Sequence, residues 1–311
     1  MKQYWTKNEL ANSWSLSQGE ICYLEKKDNK LVCALKMRYF DLQGYLPKKV
    51  EDIPLVAIEY VASQLSITPN SLKDYDWQSR IAQIHNAEIR EYYGFKKLEQ
   101  ADLLSIKEFI ETDLLVQGLS IGQINDEVYK FLKKAKIEPS AYNELSRYIS
   151  SICTQYEIKF FTECKQNLTL TSQQKLSKLL GMYDNDQTIL NFIRTPVGKV
   201  STTTITEELG KLSYIEKTEV VYRKFFNNIP RKLLKTHHDR VATSTPSRLL
   251  EIKDRDPNKF YGLLACFCKY KGARIIDNFI EILVRKLKKL EQFGKVKIKE
   301  ELWEDYTKEN K

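Results

Sequence analysis

Apolar side chains recur at helical spacing along most of the chain, and the positions where that spacing stops define the predicted elements. Ser17 and Glu20 have the spacing of a capping box, which predicts the start of a helix. A second helix is predicted over residues 30–42, and Gly44 is predicted to end it. The 311 residues include only 11 glycines and 8 prolines, so the sequence favours long helices joined by short turns.

The last part of the chain carries two further helical patterns. Asp256 and Pro257 are a typical helix start, and Gly272 is predicted to end that helix. The final helix is predicted to end at Gly294, before a charged and frayed tail over residues 295–311. One stripe of it is apolar, which we interpret either as a core face or as a surface that pairs with another helix. Its members are Ile276, Phe279, Leu283, Leu287 and Leu290.

A polar stretch at residues 166–171 separates two groups of helical patterns. We therefore expect an all-α fold with two consecutive multi-helix domains, residues 1–165 and 166–311. No stretch approaches the roughly 18 apolar residues of a membrane span, and the N-terminus lacks the apolar core of a signal peptide. The expected location is the cytoplasm, without membrane contact.

The formal net charge of +9 is unevenly distributed. Residues 1–165 contain 22 lysines and arginines against 23 acidic residues, whereas residues 166–311 contain 28 against 18. The second predicted domain therefore carries all the excess positive charge. A nucleic-acid backbone is the commonest partner of such a field, and an acidic membrane or protein surface is the alternative.

Residues 74–95 have the layout of a recognition helix. On a helix over residues 76–93, an apolar stripe would anchor the segment, and an adjoining polar side would face a DNA groove. The predicted stripe is Trp77, Ile81, Ile84 and Tyr92, and the polar side is Arg80, Gln83 and Arg90. Arginine can pair bidentately with guanine and glutamine with adenine. The alternative is an amphipathic surface helix whose arginines pair with neighbouring acids.

Residues 221–250 are strongly basic, and Asp239 is their one acid. Hydroxyl side chains and a helix start near Pro246 could hold phosphates beside the cations. The alternative is a solvated basic face. Residues 74–95 and 221–250 together predict helix-turn-helix-like DNA-binding elements. The candidate DNA contacts in residues 221–250 are Arg223, Lys224, Arg231, Lys232, Lys235, His237, His238, Arg240, Ser247 and Arg248.

Metal binding and catalysis have little support in the sequence. The six cysteines lack zinc-ribbon spacing and are expected to be reduced and buried. His237 and His238 would diverge by about 100° on a helix, which argues against a metal site; a phosphate hydrogen bond or a partly exposed surface pair is the expectation instead. No metal-protease motif, Gly-rich phosphate loop or nucleophile elbow is present. We predict no metal site and no catalytic residue.

Several segments, in order along nearly the whole chain, resemble the N-terminal region of the replicative-transposon transposases of the Tn-three family. The most specific is residues 74–95, with its Tyr-Asp-Trp, spaced Arg, His, Ile-Arg-Glu and Gly-Phe. The others are YWTKNELANSWSLSQGE (4–20), CALKMRYFDLQGYLP (33–47), IPLVAIEYVASQLSI (53–67), PRKLLKTHHDRVATSTPSRLLEI (230–252) and FYGLLACFCKYKGARIIDNFIEILVRKLKK (260–289).

The resemblance implies a protein that binds double-stranded DNA at the terminal inverted repeats of a transposon. It implies a parent DDE-class transposase whose catalytic acids and magnesium belong to a segment that this chain is expected to lack, so no cofactor is expected here. A homodimer would form through the full-length protein. The matching motif positions are Trp77, Arg80, His85 and Arg90 in the first domain, and Arg231, Lys232, Arg240, Ser247 and Arg248 in the second.

One departure from the family concerns the first motif. The family usually places further basic residues around the motif histidine, where this chain has Gln83, Ile84 and Asn86. We therefore expect less affinity from this helix and more from the basic second domain. Two other functions fit the same residues: a self-contained DNA-binding regulator of transposition, and a metal-dependent nuclease with an unrecognised site.

Overall fold

The computed structural model describes residues 4–139, 142–184, 187–198 and 201–309. Within these residues the fold is all-α, which confirms the predicted class: it contains fifteen α-helices, short turns of other helix types and one pair of two-residue strands. The chain divides into two compact units. The first comprises Met1–Ile110 and Ser120–Ser151, and the second Glu111–Leu119 and Ile152–Lys311. The domain boundary inferred from the sequence, after residue 165, stays a prediction.

The first unit is built around helix α3, most of whose side chains are buried. Strands β1 (Lys96–Lys97) and β2 (Ile137–Glu138) pair in parallel, with Lys96 opposite Ile137. The helices of this unit are α1 (Lys7–Trp14), α2 (Gln18–Leu24), α3 (Lys30–Gln43), α4 (Leu55–Leu65), α5 (Arg80–Tyr93), α6 (Gln100–Phe109), α7 (Ile121–Lys134) and the start of α8 (Tyr142–Gln166).

Local signals set the ends of the first helices, as predicted. The backbone N–H of Glu20 donates to Ser17 Oγ at 3.3 Å, and the backbone N–H of Ser17 donates to Glu20 Oε2 at 2.7 Å, which completes a capping box. Gly44 ends α3 with a φ of 77°, in the left-handed region that glycine adopts without strain.

The second unit is built around the first half of helix α15. Phe260, Leu264 and Phe267 of that helix are fully buried, in one core with Phe161 and Val241. The remaining helices of this unit are the rest of α8, α9 (Leu170–Lys178), α10 (Ile189–Arg194), α11 (Thr202–Lys217), α12 (Lys224–Asn227), α13 (Arg231–Thr243), α14 (Pro246–Arg255) and α15 (Pro257–Glu309).

The predicted ends of the last two helices are wrong, because α15 continues through both Gly272 and Gly294 to Glu309. A Cβ atom at Gly272 would lie 3.2 Å from Val221 and 3.3 Å from Ile215, so this glycine permits close packing rather than a helix end. The predicted frayed tail is helical through Glu309, and residues 310–311 lie outside the described residues. Across the described ranges we find no helix with both the length and the apolar character needed to cross a membrane.

Candidate nucleic-acid interface

Helix α5 carries the first group of predicted contact residues. Its N-terminus is capped by Ser79, whose Oγ accepts a hydrogen bond from the backbone N–H of Ala82 at 3.1 Å. The Asp76 side chain accepts the backbone N–H of Gln78 at 2.9 Å, which forms a turn before the helix. The helix therefore starts at Arg80 rather than at residue 76.

The buried face of α5 differs from the predicted one. Ala82, His85 and Ile89 are buried, at the spacing of one side of a helix. Ile81 and Ile84, two members of the predicted anchoring stripe, are 55% and 50% exposed. The predicted stripe is wrong, because a central position of the true buried face holds a histidine, which an apolar pattern does not count.

A buried polar cluster holds the segment that leads into α5. The Lys36 side chain is fully buried, and its Nζ donates to Tyr75 Oη at 3.1 Å and to Asn86 Oδ1 at 2.9 Å. The same Nζ lies 5.0 Å from the ring centre of Tyr75 and 5.1 Å from that of Trp77, within cation–π range. Tyr75 Oη is also 3.0 Å from Nδ1 of His85. Trp77 and His85 thus belong to the support of α5.

Burial changes the ionisation of this cluster. It lowers the pKa of Lys36 to about 8. Burial, together with the nearby Lys36 charge, also lowers the pKa of His85. Sequence reasoning missed Lys36, although a lysine inside the apolar run of α3 was a usable signal.

The face of α5 that remains outward carries Arg80, Gln83, Ile84 and Ala87, with the acid Glu91 at its C-terminal end, and Ile81 and Tyr92 are exposed beside it. Neither Arg80 nor Gln83 has a hydrogen bond or ion pair within the described ranges. Arg90, predicted to share this side, instead forms a 2.9 Å ion pair with Glu138, and its side chain is 12% exposed. Helix α5 therefore offers a short outward face near its N-terminal half.

Helix α13 carries the second group. Leu233, Leu234, His237 and Val241 face the core, so the outward side follows from the helical repeat. That side holds cations in the first turns: Arg231, Lys232 and Lys235. Arg231 lies 2.9 Å from Asp277, in an exposed pair. Lys232 and Lys235, like Lys224 on α12, are exposed and have no side-chain partner among the residues that the structure describes.

The two adjacent histidines of α13 lie against aromatic rings. His237 is 6% exposed, and its ring centre is 5.0 Å from those of both Phe160 and Phe161. Burial lowers the pKa of His237 to about 4, so the ring is neutral at pH 7. His238 stacks on Phe267 at 5.1 Å, and burial lowers its pKa despite a 2.9 Å contact with Asp239. The structure therefore places His237 in the core, packed against aromatic rings, and not on the surface as a phosphate contact.

Other predicted cations of this segment are engaged in ion pairs. Arg240 donates to Glu157, which also accepts from Lys259 at 3.2 Å. Burial alone would raise the pKa of Glu157, but the hydrogen bond and charge of Arg240, with Lys259, lower it overall. Arg223 lies 3.4 Å from Glu219. Arg240 in particular connects α13 to α8 and α15.

Helices α13 and α14 are joined by two residues, Ser244 and Thr245, a connection shorter than the three to four residues of a helix-turn-helix turn. Thr245 caps α14, accepting the backbone N–H of Arg248 at 3.2 Å. Ser247 is exposed in the first turn, and the Arg248 side chain pairs with Glu251.

The described residues contain no group of three or more His, Cys, Asp or Glu side chains arranged to hold a metal ion. Within them, all six cysteines are free. Cys22 is exposed, and the other five are buried. Burial raises the pKa of the Cys33 thiol to about 11 and that of Cys268 to about 12, so these two thiols are unreactive at neutral pH.

Comparison with known proteins gives two matches. Residues 1–152 match a family model described as a domain of unknown function, DUF4158. The transposase for transposon Tn1546 of Enterococcus faecium is 23% identical over 299 residues, which cover 94% of this chain. The chain spans only 30% of that relative's length. The matches thus support a transposase-related protein.

Proposed function

We propose that this chain binds the double-stranded DNA of transposon ends, recognising the terminal inverted repeat, as part of a DDE-class transposase. The observation that carries the proposal is the outward face of α5, which is exposed on a helix whose opposite face is buried. Arg80 suits guanine and Gln83 suits adenine, while Ile84 and Ala87 suit the methyl group of thymine. The similarity to a transposase supports the same assignment.

The second unit supplies affinity for the DNA backbone in this proposal. Lys224, Lys232 and Lys235 are exposed, without carboxylate partners in the described part of the chain, so they are free to neutralise phosphates. The first turn of α13 adds unpaired backbone N–H groups, which favour an anion at a helix N-terminus. These contacts carry no sequence information and depend strongly on salt.

The predicted contact residues therefore divide into two roles. Arg80, Gln83 and the three lysines would contact DNA, as would Arg231, Ser247 and Arg248 from their exposed positions. The remaining group would hold those side chains in place. Its members are Trp77, His85, Arg90, Arg223, His237, His238 and Arg240.

The test is a binding measurement with purified chain at about 0.15 M salt. One duplex carries the terminal repeat of the element that encodes this chain, and the other carries the same bases in scrambled order. We expect tighter binding to the terminal repeat. Equal binding to both would contradict sequence-specific recognition, although it would leave backbone binding intact.

A companion assay tests where the DNA is cut. In the proposal the cutting chemistry and its magnesium belong to residues outside these 311. Incubation of the chain with terminal DNA and magnesium should therefore leave the strands intact. Nicking that is lost on mutation of a single acidic residue in this chain would contradict the proposal.

A further inference from the structure

From Ile276 onward, helix α15 exposes an unusual number of large apolar side chains. From Leu283 onward nearly every side chain described on this helix is exposed. A helix with this much apolar surface in water is unfavourable unless something covers it. The exposed apolar residues of this part are Ile276, Ile280, Leu283, Val284, Leu287, Leu290, Phe293, Val296, Ile298, Leu302 and Trp303, each between 44% and 68% exposed.

Five of these residues form a continuous seam with the alternating spacing of a coiled coil. The seam consists of Ile276, Ile280, Leu283, Leu287 and Leu290, separated by steps of four, three, four and three. Phe279, which the sequence assigned to this stripe, packs partly against the core of its own unit. Ile280 takes its place on the seam. In the heptad notation abcdefg, Ile280 and Leu287 occupy position a. Ile276, Leu283 and Leu290 occupy position d.

We infer that the seam binds a second copy of this chain, as a parallel two-stranded coiled coil. The charged residues beside the seam determine which partner it binds and whether the two helices run parallel. Lys286 lies at a g position and Glu291 at the following e position, so each copy's Lys286 would meet the other copy's Glu291 in a parallel pair. In the single chain Lys286 has no ion pair in the described ranges, and Glu291 lies 2.6 Å from Lys295, in an exposed pair that is easily exchanged.

The opposite direction is disfavoured by the same side chains. An antiparallel pair places e positions against e positions. The e residues are Asp277, Val284 and Glu291, so Glu291 would face Asp277, which is already paired with Arg231. The g residues are Phe279, Lys286 and Phe293, so Lys286 of one copy would face Lys286 of the other. The charge pattern therefore selects the parallel arrangement.

The mass of the chain in solution tests the pairing. Light scattering over a range of concentrations should give twice the monomer mass. The double variant Leu283→Glu/Leu287→Glu should lose the dimer, because charges at a and d positions cannot be buried unpaired. Both side chains are more than half exposed in the single chain, so folding should be retained, as circular dichroism would verify. Leu209→Glu is the matched control, since Leu209 is 53% exposed on α11, away from the seam.

A cysteine cross-link tests the direction. In the Cys22→Ser background, which removes the exposed native thiol, Leu290→Cys would place two d-position thiols opposite each other in a parallel pair. Mild oxidation should yield a covalent dimer, and the equivalent Lys288→Cys variant, which faces away from the seam, should not. A monomer at all concentrations, a dimer insensitive to the glutamate variant, a larger oligomer, or a dimer without this cross-link would each overturn the inference.

Discussion

Nη1 of Arg90 lies 2.9 Å from Oε2 of Glu138, and the other oxygen of that carboxylate accepts the backbone N–H of Leu46 at 3.2 Å. The pair joins the last turn of α5 to β2. Both side chains are mostly buried, 12% and 15% exposed. Arg90 therefore holds the helix in place, whereas Arg80 on the outward face has no such partner among the residues that the structure describes. The two arginines, which share one motif, should behave differently when they are removed.

We predict that Arg90→Ala destabilises the protein and that Arg80→Ala does not. Removal of the Arg90 guanidinium leaves the Glu138 carboxylate partly buried without its charged donor, at a cost of about 1–3 kcal/mol in unfolding free energy. Arg80→Ala should leave the unfolding free energy unchanged and reduce discrimination between terminal and scrambled DNA by about 1–3 kcal/mol. Urea unfolding and DNA titration of the same samples measure both quantities.

A reversal of these two effects would contradict the assignment of α5 as the recognition element. If Arg80→Ala destabilised the fold and left DNA discrimination intact, α5 would not be the recognition element. Arg90→Lys is a useful companion, because it keeps the charge but lacks the planar guanidinium. It should recover only part of the lost stability.

Features that depend on neighbouring residues could be predicted from the sequence, whereas features that depend on contacts between distant residues could not. The cap at Ser17 and the end at Gly44 depend on residues next to them, and both predictions are confirmed. The buried face of α5 depends on Lys36, which is distant in sequence and makes His85 an interior residue. Gly272 was misassigned for the same reason, since its neighbours Ile215 and Val221 come from other elements.

We predict that Lys232→Ala/Lys235→Ala weakens binding to terminal and scrambled DNA alike. Each lost phosphate contact should flatten the slope of log K against log salt by about 0.9. Two lost contacts should therefore reduce it by about 1.8. Titrations at several salt concentrations give the slope directly.

The control for that variant must remove the same charge elsewhere. Lys288→Ala/Lys289→Ala does so on exposed positions of α15 that lie off the apolar seam. It should change the slope much less. An equal effect of the two double variants would show that net charge, and not the position of the lysines on α13, determines affinity.

His237 should make the protein less stable in acid. Because burial holds its pKa at about 4 in the folded chain, against 6.5 as the ordinary value, the unfolded chain takes up a proton first as the pH falls. Its contribution to unfolding free energy is complete above pH 6.5 and should decline towards pH 4, by at most about 1.4 kcal/mol per pH unit. Comparison with His237→Leu isolates this contribution, since all carboxylates titrate in both proteins. Identical pH profiles would contradict the buried, neutral state.

Lys36 should produce a change of the same sign on the alkaline side, with stability again rising as the pH increases. Its pKa is about 8 in the folded chain and 10.5 ordinarily, so between these values the unfolded chain holds more protons. The stability of the wild type relative to Lys36→Met should therefore rise as the pH increases from 8 to 10. The slope should be at most about 1.4 kcal/mol per pH unit. Urea midpoints of the two proteins, measured in parallel, give the difference.

In the proposed complex, Ile84 should contact the methyl group of a thymine. Ile84 is 50% exposed on the outward face of α5, between side chains that suit base edges, and the thymine methyl group is the apolar feature of the major groove. Replacing thymines of the terminal repeat by deoxyuridine, one at a time, removes that methyl group and leaves base pairing intact. At the contacted position we expect a loss of about 0.8 kcal/mol, the value of one buried methylene-sized group.

The matched variants decide whether Ile84 is responsible. In Ile84→Ala the loss caused by deoxyuridine at that position should disappear, because the partner of the methyl group is already gone. In Arg80→Ala the loss should persist, since the arginine contacts a different base edge. If wild-type binding is sequence-specific but indifferent to every deoxyuridine, Ile84 does not contact thymine. Recognition by α5 would then depend on its polar side chains alone.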